Sequence, residues 1–145
     1  MANPTAYAKS EWINAESYHQ DGYIAVSNDG YTQHSVLPVN SIIKAFARTS
    51  AGVWTCTLQE CWPASVTNAY GSPLVKFDIT PVYPSDPGSS KLGVAVLSDN
   101  IATNTVPGSG VINFELLNSS GTLTDLPALG GFRFSIVLVN TNLYL

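Results

Sequence analysis

Charge is what this sequence has least of. Asp, Glu, Lys and Arg make up 11% of its 145 residues, against ~25% in an ordinary globular chain. Amphipathic helices solvate their outer faces with those residues, so a mainly helical fold is disfavoured. Ser, Thr, Asn and Gly take over the solvent-facing role, which suits strands and turns. The six basic residues, Lys9, Lys44, Arg48, Lys76, Lys91 and Arg133, are scattered, and the net charge is −4. A nucleic-acid backbone is neutralised by clustered cations, so no nucleic-acid partner is expected. No apolar run approaches the ~20 residues of a membrane-spanning helix, so no membrane partner is expected either. The opening residues MANPTAYAKSEW lack the basic segment and apolar core of a secretory signal. Either the chain stays in the compartment where it is made or a leader was removed before this numbering, and Met1 favours the first expectation.

Cysteine is also scarce, with two residues, Cys56 and Cys61. In a straight strand they would lie about 16 Å apart at ~3.3 Å per residue, beyond the ~7 Å that a disulfide spans. They read as small, reduced, semi-buried residues unless the chain turns between them. No second Cys or His pair completes a zinc site, and no metal or cofactor is expected.

What is present is the alternation of a β protein. The length suits one domain that buries roughly two-thirds of the surface of its unfolded chain. Residues 1–20 stand apart. Ala6 to Tyr18 fits a short helix, with Trp12, Ala15 and Tyr18 at i, i+3 spacing, or equally an extended arm anchored by Tyr7, Trp12 and Tyr18. Residues 21–145 read as a single β domain. Gly22–Asn28 and Tyr31–Leu37 flank the turn Asn28-Asp29-Gly30, and Asn40–Thr49 and Val53–Leu58 flank Ser50-Ala51-Gly52. Leu74–Tyr83 sets Val75, Phe77 and Ile79 against Lys76, Asp78 and Thr80, the signature of a half-buried antiparallel strand. Leu92–Leu97, Val111–Leu117 and Phe132–Val139 complete about eight strands. Long loops are predicted at 59–73 and 98–110, and a turn-rich loop at 84–90. The fold class is all-β: an antiparallel β-sandwich, or a jelly-roll or Greek-key barrel. No internal repeat marks a solenoid or propeller.

Catalytic chemistry finds little purchase. His34 lies inside a predicted strand and reads as structural, while His19 reads as solvated or interfacial. A Ser-His-Asp set drawn from His34, Asp29 and any of many serines has no specificity, and no G-x-S-x-G elbow is present. Asp78 and Glu115 are the one carboxylate pair worth testing for glycoside hydrolysis, although solvated strand charges are commoner. Asp86 and Asp99 lack calcium-loop spacing. Asn118-Ser119-Ser120 matches a glycosylation sequon, which carries little weight without a secretory signal. The chain is expected not to be an enzyme.

The aromatics divide into two sets. Phe77, Phe114, Phe132 and Phe134 sit on apolar faces and are expected in the core. Trp12, Trp62, Tyr70 and Tyr83 fall in the N-terminal segment or in loops, where they serve as core lids, as interface anchors or as platforms for sugar rings. The candidate partner contacts are Tyr7, Trp12, Trp62 and Tyr70, joined by the apolar end Leu143, Tyr144 and Leu145.

Few charges, a leaderless start, a distinct N-terminal segment, Ser/Thr/Asn/Gly-rich strands and an apolar C-terminal strand together give the chain a general character. In this it resembles the small all-β structural proteins of bacteriophages, in particular capsid decoration or cement proteins. The resemblance rests on overall character and transfers no residue role. It implies a homo-oligomer, a trimer favoured, made in the host cytoplasm and located on the virion. There it would bind the major capsid protein or another virion protein and stabilise the assembled shell. A carbohydrate-binding, lectin-like module with a glycan partner, or a virion tail or receptor-binding domain, is the alternative.

Overall fold

A computed structural model describes residues 17–26, 33, 37, 41–59, 74–101, 103–104, 106 and 108–139. Seven strands run through them: β1 (Ser17–Ala25), β2 (Ile43–Ser50), β3 (Val53–Leu58), β4 (Leu74–Val82), β5 (Gly93–Asp99), β6 (Val111–Leu117) and β7 (Gly131–Val139). They form two antiparallel sheets, ordered β1-β7-β4 and β2-β3-β6-β5, packed face to face as a sandwich. The all-β expectation holds. The only helix among the described residues is a short 3-10 turn, Gly88–Ser90.

The core follows from period-two alternation. Trp54, Cys56 and Leu58 of β3, Ile112, Phe114 and Leu116 of β6, and Phe132, Phe134, Ile136 and Leu138 of β7 all point inward and are buried. Aromatic rings lock the two sheets together. Phe132 meets Trp54 edge-on at 4.9 Å between centroids and Phe114 at 5.5 Å, and Phe46 stacks on Phe132 at 5.8 Å. Such ring pairs each contribute about 0.5–1.5 kcal/mol beyond the area they bury. Phe77 is only partly buried and packs on the margin of this cluster. Cys56, expected to be semi-buried, is a free and fully buried thiol, and burial pushes its pKa well above the ordinary thiol range.

Two expectations need correction. The first strand begins at Ser17 rather than Gly22, so residues 17–20 belong to the β domain and the helical alternative fails for that stretch. Its alternation was masked because Gln20 and Gly22 occupy inward positions between Tyr18 and Ile24. Gln20 is inward because it ties the sheets together: Ile42 N–H donates to its Oε1 (2.6 Å), and its Nε2 donates to Ser41 Oγ (2.8 Å). Gly22 is inward because the Phe134 ring lies over it, and a Cβ there would fall 2.5 Å from Phe134 Cζ. The second correction concerns Tyr31–Leu37, expected as a strand. Its described part is an isolated antiparallel bridge, Val26 to Gln33, and Gln33 Oε1 accepts the Phe46 N–H of β2 (2.7 Å). Leu37 lies in no strand and packs, partly buried, against the core, and the other residues of that expected strand, His34 included, lie outside the described residues.

Candidate functional site

The partner contacts expected from sequence fall on three segments. Tyr7 and Trp12 lie in 1–16, Trp62 and Tyr70 in 60–73, and Leu143, Tyr144 and Leu145 in 140–145, all outside the described residues. Cys61 lies there too. The strand registers nevertheless locate where those segments join the fold. Ser17 pairs with Val139, and Leu74 pairs with Leu138, so residues 16, 73 and 140 adjoin one end of the first sheet. In the second sheet Leu58 pairs with Ile43, Thr57 with Val111, and Asp99 with Ile112. The bonds from Gln20 to Ser41 and Ile42 bring that end of the second sheet against the same end of the first. All three segments therefore attach at one end of the sandwich.

The described part of this end is well braced. The loop after β5 is held by two asparagines, which suit tight turns because their side chains bond nearby backbone. Asn100 Oδ1 accepts Val111 N–H (2.7 Å), Asn104 N–H donates to Asn100 O (2.9 Å), and Asn104 Nδ2 donates to Val106 O (2.9 Å). Ile101 is buried as the anchor of the loop, whereas Val106 is 56% exposed. The loop that joins β5 to β6 at this end thus presents an apolar side chain at Val106.

The opposite end is closed by an ion pair. Arg48 donates to Asp125 through Nε (2.8 Å) and Nη2 (2.9 Å), and Gly52 N–H donates to the same carboxylate (2.8 Å). The Arg48 bonds hold the Asp125 carboxyl below the usual carboxylate range, with desolvation opposing and Gly52 adding to the effect. A recess of about 340 Å³ beside it is lined by Tyr83, Pro84, Pro87, Leu92, Asp125 and Pro127. At its wall Tyr83 Oη accepts Leu92 N–H (2.6 Å). Tyr83, weighed from sequence as a loop aromatic, is a strut between β4 and β5.

The outer face of the first sheet gathers charges that lie far apart in sequence. The registers align His19, Val137 and Lys76 in one row, Asp21, Ser135 and Asp78 in the next, and Tyr23, Arg133 and Thr80 in the third. A shallow recess of about 360 Å³ is lined by Asp21, Asp78, Thr80, Arg133, Phe134 and Ser135. Lys76 Nζ stands 3.4 Å from Asp78, and His19 Nε2 stands 3.1 Å from Asp21. Ser135 Oγ is buried without a hydrogen bond of good geometry. Its hydroxyl still lies against Asp21 and is the main cause that lowers the Asp21 pKa, with desolvation opposing and His19 and Lys76 adding. Ser135 and His19 thus both meet the Asp21 carboxylate, His19 through its Nε2 (3.1 Å).

Asp78 and Glu115, the carboxylates considered for glycoside hydrolysis, project from the outer faces of opposite sheets. They cannot flank one bond, because about 10 Å of core separates stacked sheets. Among the described residues no group of three His, Cys, Asp or Glu side chains could hold a metal ion, and no helix is long and apolar enough to cross a membrane. Sequence reasoning missed the Asp21–Tyr23–Arg133 neighbourhood. Alternation put Arg133 and Asp78 on outer faces, but only the pairing of β1 and β4 on either side of β7 joins them. Known protein families, curated proteins and solved structures give no match to this chain.

Proposed function

We propose that this chain is a non-catalytic structural protein of a virion, of the capsid decoration or cement type, which binds an assembled phage shell and stabilises it. One observation carries the reading. The segments bearing Tyr7, Trp12, Trp62, Tyr70 and Leu143–Leu145 all join the fold at a single end of the sandwich, which also presents exposed Val106. Aromatic anchors carry most of the energy of a protein interface, and a stiff, doubly layered core at the attachment points keeps the cost of ordering low. The sparse charge of the chain also suits close apposition to a neighbour.

The test compares the full chain with a chain lacking residues 2–15, each mixed with particles from the native source and sedimented. Removal stops short of Ser17 so that β1 keeps its buried Tyr18. The full chain co-sediments and the truncated chain, still folded by circular dichroism, does not. Equal co-sedimentation refutes the arm as a contact.

A second reading, a glycan-binding module or receptor-binding domain, has its own support in the first sheet. Tyr23 is exposed beside Arg133, and Asp21 and Asp78 flank the recess. An aromatic face with adjoining carboxylates suits a sugar ring and its hydroxyls. Loss of signal on a glycan array in Tyr23→Ala, with Trp62→Ala as the comparison, would favour this surface.

A further inference from the structure

The four sheet edges are unequally protected. An open edge exposes a row of unpaired N–H and C=O groups, and natural proteins blunt it with charge, proline or cover. The β2 edge is covered, since its Phe46, Ile42 and Ile43 N–H groups are taken by Gln33, Gln20 and Ser41. β4 carries Pro81, which an edge strand tolerates and a paired one does not. β1 carries His19 and Asp21. β5 differs from all three. It has no charge and no proline from Gly93 to Ser98, and among the described residues no strand pairs with its outer side. Val96 and Leu97 on it are 47% and 53% exposed.

The hydrogen-bonding phase of β5 follows from β6. Leu116 N–H is directed to Gly52 O (2.7 Å), away from β5. Val94, its partner across the pair, therefore turns its own N–H and C=O outward, and antiparallel alternation gives Val96 the same orientation. The straight stretch Gly93–Val96 ends in a bulge between Val96 and Ser98.

We infer that β5 pairs antiparallel with β5 of a second copy of this chain, about a two-fold axis at Ala95. In that register Val94 of each copy exchanges hydrogen bonds with Val96 of the other, using the outward groups and leaving the bulge outside the bonded stretch. Leu97 comes opposite Gly93 of the second copy, where a bulky exposed side chain meets one with none. The space over Gly93 is open, since a Cβ there would touch nothing nearer than Leu117 O at 3.9 Å. Beyond the bulge the register moves by one, and Asp99, which pairs with Ile112 and accepts Ile101 N–H (3.0 Å), takes no part in the contact. The self-complementarity of the segment, with the outward groups of Val94 and Val96 matched in pairs and leucine opposite glycine, is what selects a second copy as the occupant. The two four-stranded sheets become one continuous sheet with both of these edges closed. The contact is independent of the virion reading, and it favours a two-fold pair over the trimer that the resemblance implies.

The purified full chain is first weighed by light scattering or sedimentation equilibrium, where the pairing predicts twice the 15.4 kDa of one chain. A monomer at sub-millimolar concentration, or a trimer, overturns it. Ala95→Cys, in a Cys61→Ser background, then tests the axis. Opposed residues of a non-hydrogen-bonded pair have Cα atoms about 4.5 Å apart, within disulfide reach. Ala95→Cys cross-links to a dimer on oxidation, and Thr49→Cys on the covered β2 edge does not. Absence of the Ala95→Cys cross-link refutes the register.

Discussion

Replacing Asp125 by Asn removes the charge that holds one end of the sandwich shut while keeping the shape of the side chain. The carboxylate accepts from Arg48 Nε, Arg48 Nη2 and Gly52 N–H at 2.8, 2.9 and 2.8 Å. It thereby ties the β2–β3 hairpin to the segment that leads into β7. Hydrogen bonds to charged groups contribute about 1.5–3 kcal/mol each when shielded. Here the Arg48 and Asp125 side chains keep 24% and 22% of their surface in water, and solvent screening weakens them. An asparagine oxygen can still take the Gly52 N–H, but its amide faces the guanidinium donor to donor. The net loss is about 2 kcal/mol, which for a chain of this size lowers Tm by about 4–8 °C. The pH dependence fixes the cause. The folded pKa of Asp125 lies below its unfolded value. Its contribution is therefore fully present above an unfolded pKa of ~3.9 and disappears as pH falls through the folded value. Urea midpoints of parent and variant, measured from neutral pH downward, should differ at pH 7 and converge in acid. A variant within about 0.5 kcal/mol of the parent at pH 7, or a deficit that persists unchanged in acid, refutes the assignment.

Two further substitutions test the packing. Gly22→Ala forces a methyl group against the Phe134 ring and should cost about 1–3 kcal/mol by overpacking; combined with Phe134→Leu in a double-mutant cycle on urea midpoints, the two changes should cost less than their sum. Leu129, exposed, holds a positive φ of 63° in the turn closed by Gly130 N–H to Pro127 O, so Leu129→Gly should stabilise by about 0.5–1 kcal/mol after the entropy that glycine adds to the unfolded chain. A lower urea midpoint for Leu129→Gly would contradict that account.

The strands that sequence located best are those whose inward positions are all apolar. Phe132, Phe134, Ile136 and Leu138 mark β7, and Ile112, Phe114 and Leu116 mark β6. β1 escaped at its start because Gln20 bonds across the sandwich and Gly22 makes room for Phe134, so polar and absent side chains stand where apolar ones were sought. The exposure of β5 was hidden for the opposite reason. Leu92–Leu97 reads as an apolar strand, yet β5 lies at an edge, and edge position is a property of sheet order, which alternation does not encode. The same holds for Arg133 and Asp78: each was assignable to an outer face, but their meeting with Asp21 depends on β1 and β4 flanking β7. Tyr7, Trp12, Trp62, Tyr70 and Leu143–Leu145 were selected from sequence one at a time. Their common attachment to one end emerges only from the registers.

The central claim, that this chain works as part of an assembled particle, is tested most directly by density-gradient fractionation of the native source, probing for the 15.4 kDa chain. The account predicts that the chain migrates with large particles and stays with them through a second gradient. Migration wholly as a small free protein or oligomer would contradict it and turn attention to the Tyr23 face.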